Sequence, residues 1–384
     1  MNRRKFLKIA GSTGVIVAAG GAGIGTFVAT RTPHAALKPW QNAGSQYADP
    51  IRNALSYAIL APNPHNRQPW VVDLRSDSEA MLLCDQDRLL PATDPFDRQI
   101  VIGLGCFLEV FKIAATHYGY HAQITLFPDG EPEEHLDERP IAYLKLIKDS
   151  QTAKDPLFAH ILDRRTNREA YDITRSIAQG TLSEIDLAAG EDVIVGSVGD
   201  GPQLESLRAL TRDALRDEIL DPPAFQESVD LMRIGRAEIE ASPDGIYLGG
   251  AFLETLNKLS VLTREELANP QSKAFQVGLD MVDEQALTAT GFVWINTLGN
   301  TRLNQIAAGR SYLRVALSVT SQGLAMQPMS QALQEYAAMQ PHYEKIHAML
   351  TESSDERVQM LARLGYAEAI QPAPRWALST RIKT

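Results

Sequence analysis

The chain has 384 residues, 44% of them apolar, and a formal net charge of −10 with a pI near 5.4. That length suffices for two packed units or one large duplicated one. The acidity excludes a nucleic-acid surface, which needs a basic patch to neutralise phosphates, and its plain meaning is solubility. With two cysteines, Cys84 and Cys106, there is no disulfide framework and no CxxC metal signature; two buried free thiols are expected, and spacing alone fixes no pairing.

The chain opens with Asn2-Arg3-Arg4-Lys5-Phe6-Leu7-Lys8, followed by a weakly apolar, Gly- and Ala-rich run from Ile9 to Thr30 and no acidic residue before Asp49. This resembles a bacterial twin-arginine export signal, in which two arginines and a variable residue precede Phe-Leu-Lys; Asn2 stands where Ser is common. The resemblance implies passage through the twin-arginine export machinery in folded form, often with a cofactor already inserted. It also implies a periplasmic location or anchorage at the outer face of the cytoplasmic membrane. A single transmembrane anchor is the other reading, weakened by the glycines between Gly11 and Gly25. Residues 1–36 are therefore assigned as signal or anchor, with cleavage near Thr32 to Ala36 left open. The glycine pattern Gly20 to Gly25 precedes no Rossmann unit and is no dinucleotide motif.

Next comes a helix-like run, Ile51 to Leu60, with Ile51, Leu55, Ile59 and Leu60 on one face. Leu60-Ala61-Pro62-Asn63-Pro64-His65-Asn66-Arg67-Gln68-Pro69-Trp70 then reads as a stiff loop, because three prolines fix φ while Asn, His and Gln supply polar side chains. Trp70 to Leu74 reads as a strand. Asp94-Pro95 signals a helix start, with Asp94 as N-cap and Pro95 in the first turn, ahead of an apolar helix from Ile100 to Ala115. His117 and His121 lie four apart, but Gly119 intervenes and no third ligand is evident, so packing or surface roles are favoured and no metal is expected. A strand at Ile141 to Ile147 ends in the polar stretch Ser150 to Asp155, which divides the chain into halves at 37–150 and 151–384.

Two motif pairs support a duplication. Ala54 to Pro62 and Ala214 to Pro222 both read A-L-x-x-x-I-L-x-P, and Ala114 to Gly119 lies over Ser318 to Gly323, in the same order in each half. The halves are unequal: the second lacks the loop chemistry after Pro222 and carries an insertion near 231–281 that suits a lid, whereas the first has no counterpart to Asp163-Arg164-Arg165-Thr166-Asn167-Arg168.

That arginine run concentrates guanidinium, hydroxyl and amide groups of the kind a phosphate ester needs. Taken alone it equally fits a solvated basic turn at the end of a helix over Leu157 to Leu162. Gly323 to Gln331 follows a long apolar helix and carries Met326 and Met329, which suit a cofactor face or simply a core. Arg375 follows the rigid Pro372-Ala373-Pro374 and is either a phosphate ligand or a surface arginine. No Gly-x-Ser-x-Gly elbow or Walker loop is present.

Together the A-P-x-x-x-N-x-Q-P-W loop (Ala61 to Trp70), R-R-T-N-R (Arg164 to Arg168), G-x-x-x-x-P-x-x-Q (Gly323 to Gln331) and P-x-P-R (Pro372 to Arg375) resemble the nitroreductase family of FMN proteins. More narrowly they resemble its exported, internally duplicated Acg-type branch. The resemblance implies an α+β fold of two tandem nitroreductase-like halves that form a pseudo-dimer within one monomer and share one FMN. Carried over by position, Arg164, Thr166 and Arg168 match the phosphate and ring-edge contacts, and Arg375 the terminal phosphate ligand. Pro328, Met329 and Ser330 match the strip beside the reactive flavin nitrogen, where a backbone N–H stabilises charge in the reduced flavin, and Pro62, Asn63, Pro64 and Asn66 match the loop on the ring. Asn63 and Pro64 replace the usual Ser pair, and Ser330 and Gln331 replace an acidic residue and Gly. The implied activity is FMN-dependent reduction of an electron-poor small molecule, a nitroaromatic or a quinone; no catalytic side chain is assigned. Non-enzymatic binding or sequestration of FMN is the alternative, since an exported protein meets little NAD(P)H.

Overall fold

The computed structural model describes residues 31–383; the arginine-containing export segment lies outside them. Helix α1 (His34–Asn42) leads to α2 (Pro50–Ala58), which starts where Asp49 accepts the Arg52 N–H and Pro50 supplies a preset φ. The first sheet comprises β1 (Trp70–Leu74), β2 (Glu79–Cys84), β3 (Tyr120–Leu126) and β4 (Ala142–Lys148), with α3 (Arg98–His117) between its second and third strands. After α4 (Gln179–Ala188), the second sheet is built from β5 (Ile194–Val198), β8 (Gly291–Leu298), β9 (Ala325–Pro328) and β10 (Glu356–Gly365). Helix α11 (Arg302–Ser321) lies between β8 and β9, and α12 (Gln340–Leu350) between β9 and β10. Each sheet is antiparallel and has its first-to-fourth strands in the spatial order first, second, fourth, third. The architecture is α+β, with one topology in both halves.

The two long helices join the halves. Helix α3 is buried along nearly its whole length and packs on α11 through Gly105 and Gly309, whose Cα atoms leave no room for a Cβ. The contact is reciprocal: a Cβ at Gly105 would meet the Ile306 carbonyl, and one at Gly309 the Ile102 carbonyl. Only glycine permits backbones this close. One apolar core runs through this helix pair and both sheets; a second lies on the far side of the second sheet. Helix α3 is long and apolar enough to cross a membrane, but 83% of its apolar window is buried inside the protein. Both cysteines are buried and free.

The motif pairs fare differently. Gly119 (φ 76°) and Gly323 (φ 68°) each end a central helix and turn the chain into the third strand, in the register that Gly105 and Gly309 share. Ala54 to Pro62 spans the end of α2 before β1, whereas Ala214 to Pro222 spans the end of α5 (Gly201–Leu220), which lies between β5 and β8. The helix matching α2 in position is α4, so that sequence match pairs elements in different places. Short apolar helix ends repeat easily, and their topology does not follow from their spelling.

Helix α3 starts at Arg98, later than Asp94-Pro95 suggests, because Asp94 to Asp97 forms a turn first; the Asp94 carboxylate nevertheless accepts the N–H groups of Gln99 and Ile100. The extra elements of the second half lie between β5 and β8, where the first half has only a short turn, and so begin before the expected 231–281: α5 is followed by α6 (Pro222–Asp230), β6 (Met232–Ile234), α7 (Gly235–Ala241), β7 (Ile246–Leu248), α8 (Ala251–Lys258), α9 (Arg264–Ala268) and α10 (Lys273–Leu287). They include a small core of their own around Ile234, Leu253, Leu256 and Val277.

Candidate functional site

The loop after α2 is held in a conformation that ordinary side chains avoid: φ is 45° at His65, 52° at Asn66 and 51° at Gln68. Each such residue costs about 1–3 kcal/mol and persists only when its surroundings over-determine it. Here they do. Asn63 Oδ1 accepts the Gln68 N–H (2.7 Å) while its amide donates to the Ala61 carbonyl (3.1 Å). Asn66 donates to the Pro374 carbonyl and accepts from Arg375 Nη1 (2.6 Å); Gln68 accepts the Trp376 N–H (2.9 Å) and donates to the Pro243 carbonyl (2.7 Å). Beneath the loop, Gly103 of α3 leaves space for Asn63 and Pro64.

Two guanidinium groups meet behind this loop. Arg164 Nη2 donates to the Leu60 carbonyl (3.4 Å), and Arg375 donates to those of Ile59 (3.1 Å), Leu60 (3.1 Å) and Ala61 (3.0 Å). They thereby satisfy the carbonyl end of α2. Arg164 is 5% exposed and Arg375 3% exposed, and among the described residues neither has a carboxylate within ion-pair distance. Burial pushes Arg164 down to about 10; burial, with repulsion from Arg164, pushes Arg375 down to about 9. Arg165 stacks over Trp40 of α1 (4.8 Å to the ring centroid), and its buried Nε has no partner.

The arginine run is extended beside the second sheet rather than a turn at a helix end: Asn167 donates its N–H to the Met326 carbonyl (2.9 Å) and its amide to the Glu368 carbonyl (2.9 Å). Only the short 3-10 segment Pro156–His160 precedes it. Thr166 is half-buried and Arg168 exposed. The charge of Arg168 reaches both the loop and α5. Burial, then Arg168 and Arg67, lowers His65 to about 4, so its imidazole is neutral near pH 7, and its buried Nδ1 has no partner. Burial raises Glu218 of α5, partly opposed by bonds from Gln334 (2.9 Å) and Gln331 and by Arg168; Gln331 Oε1 is buried without a partner.

The structure thus gathers Pro62, Asn63, Pro64, Asn66, Arg164 and Arg375, with Thr166 and Arg168 alongside and Pro328 and Ser330 on the neighbouring strand and turn. Three expected roles change. Met329 faces the second core at 1% exposure and donates its N–H to the Leu361 carbonyl (2.8 Å), so neither its side chain nor its N–H is offered to a ligand. Asn63 and Asn66 bond within the loop and to Arg375 instead of presenting polar groups outward. Arg375 spends its donors on four carbonyls and Asn66, which makes it a clamp on the loop and leaves Arg164 as the guanidinium with donors to spare. Sequence reasoning placed Arg165 and Gln331 inside its motifs without giving either a role, and missed Glu218 and the part played by His65. His65 was visible inside its motif, but nothing in the sequence ties Glu218 to a loop some 150 residues earlier.

The insertion also touches the loop. Asp244, 5% exposed, pairs with Arg88 (2.5 Å), Arg233 (3.2 Å) and Arg67 (3.6 Å), and Gly245 donates its N–H to the Asn66 carbonyl (3.2 Å).

No family model matches the chain. It is 26% identical over 344 residues to a Mycobacterium tuberculosis protein named "Putative NAD(P)H nitroreductase", covering 86% of this chain and 90% of that one. A second M. tuberculosis protein of the same description, acg, is 24% identical over 336 residues, covering 85% and 92%. Among solved structures, an FMN-dependent nitroreductase from Mycobacterium smegmatis in complex with NADPH overlaps 56% of this chain and 92% of its own, at 17% identity and a TM-score of 0.35. In sequence the chain is thus similar, over most of its length, to proteins described as putative NAD(P)H nitroreductases.

Proposed function

We propose that the chain is an FMN-dependent oxidoreductase of the nitroreductase type that passes electrons through bound flavin to an electron-poor small molecule, a nitroaromatic or a quinone. One observation carries this reading: among the described residues Arg164 and Arg375 are buried against each other without a carboxylate. Buried charge is stable only when paired, so the site calls for an anion, and the phosphate of FMN fits it. The orphaned buried atoms Arg165 Nε, His65 Nδ1 and Gln331 Oε1 fit a ligand that also offers ring carbonyls, ring nitrogens and hydroxyls. Arg164 would hold the phosphate, with Arg375 fixing the loop behind it, and Pro62, Pro64, His65 and Arg168 would line the ring. Bound FMN supplies two-electron transfer between a reductant and the acceptor. The residues of this chain orient the cofactor, keep its phosphate dry and hold His65 neutral beside it.

In the same reading the chain is internally duplicated and works as a monomeric pseudo-dimer, since loop and arginine run come from different halves. It is exported by the twin-arginine route to the periplasm or to the outer face of the cytoplasmic membrane, and NAD(P)H, named for its relatives, is the donor to test first. A second reading, FMN binding without turnover, is favoured by the buried Asp244 network that fastens the insertion onto the loop. Purified protein is scanned for flavin absorbance and then given NADPH and a nitroaromatic without oxygen. Flavin that is bleached and then restored supports the enzyme; flavin inert to every donor supports the binder; a chain unable to take up FMN refutes both.

A further inference from the structure

We propose that the second half contains a matching anion site that is kept closed by a carboxylate of the chain itself, Glu109. The inference rests on the flavin-phosphate reading only for its comparison with the first site. Gly105 and Gly309 set the register between α3 and α11, so Gly103, under the flavin loop, corresponds to Ala307. Ala307 lines a cleft of about 410 Å³, walled also by Ala189, Gly190 and Asp192 of the α4–β5 turn, the counterpart of the loop after α2.

The parallel extends to the chemistry. In the first site guanidinium groups cap the carbonyl end of α2; here Arg314 Nε donates to the Ala188 carbonyl at the end of α4 (3.1 Å), and Arg310 lies one turn away. The difference is what faces them. Glu109, 2% exposed, reaches from α3 to Arg310 (2.9 Å) and Arg314 (3.0 Å), and Asp155 takes a further bond from Arg314 (2.7 Å). Two carboxylates thus stand against the arginine pair where a small dianion such as a phosphate monoester would otherwise bind, in a cleft that Lys112 and Asp192 also line; Glu109, which bonds both arginines, holds the larger part of the pair. The first site lacks such an internal anion and remains receptive; the second has one and is shut. Because Glu109 spans α3 to α11, it also ties the halves together.

The test counts phosphate groups per chain, flavin-borne and inorganic together, in the full chain dialysed against saturating inorganic phosphate. The expected count is one for the wild type, two for Glu109→Ala, and one again for Glu109→Ala with Arg310→Ala and Arg314→Ala. Glu109→Gln, which keeps a carbonyl on the arginines, guards against loss of folding and is expected to follow Glu109→Ala; circular dichroism verifies the fold of each. A wild-type count of two overturns the proposal, as does a folded Glu109 variant that gains no phosphate or a gain that survives loss of both arginines. If the wild type binds no phosphate, the flavin-phosphate reading fails, while a gain in the Glu109 variants still supports the closed site.

Discussion

Replacing Arg164 by Met separates the requirements of binding from those of folding. Among the described residues Arg164 is a buried cation without a carboxylate, repelled by Arg165 and itself repelling Arg375, and its bond to the Leu60 carbonyl is long at 3.4 Å. Exchanging buried charge for an apolar side chain of similar volume is commonly neutral or stabilising by about 1–4 kcal/mol. At roughly 2 cal/mol/K per residue of unfolding entropy, that raises the melting temperature of the flavin-free chain by about 1–5 °C. Binding moves the other way: losing one partner of a buried charge pair costs about 2–5 kcal/mol, or roughly 30-fold to several-thousand-fold in FMN affinity. Melting of flavin-stripped protein and fluorescence titration with FMN and with riboflavin read the two effects. Riboflavin, lacking the phosphate, is expected to bind wild type and variant alike. A flavin-free variant that melts several degrees below the wild type, or that keeps its FMN affinity, refutes the reasoning.

Two further outcomes follow from the same geometry. His65 has a folded pKa of about 4 against 6.5 when unfolded, so between these values the unfolded chain binds more protons and stability falls as pH is lowered. The contribution is fully present above 6.5 and its loss is complete below 4, at most about 3 kcal/mol; urea midpoints measured across this range should fall less steeply in His65→Gln, and parallel curves refute the assignment. Gly309→Val forces a side chain into the Ile102 carbonyl and the Gly105 Cα and should destabilise the chain by about 3 kcal/mol or more by separating the central helices; an unchanged urea midpoint contradicts the close helix contact.

The stiffness of the loop was legible because its three prolines fix φ and withhold N–H donors, which follows from covalent structure alone. The sense of its polar groups was not. Asn63 and Asn66 look outward in a one-dimensional reading, but Asn63 turns back onto Gln68 within the loop, and the partners of Asn66, Pro374 and Arg375, are brought to it by chain closure over some 300 residues. Met329 shows the same limit, since one residue in an extended strip faces a ligand or a core depending on which way the strand is turned against β10.

The α+β class rested on the family resemblance and the export-type leader stays an expectation; by itself the sequence determined the helices and strands that carry strong periodicity and the clustering of arginines, which left an anion site and a solvated basic turn both open. These depend on residues close in the chain, where propensity and steric restriction act directly. Only the tertiary structure decided that Arg164 is buried without a counter-ion among the described residues while Arg310 and Arg314 have theirs, because pairing and desolvation depend on which carboxylate the packed helices bring within 3 Å. Glu109 is one acidic residue among 47 Asp and Glu in the chain, and its place between α3 and α11 gives it its meaning.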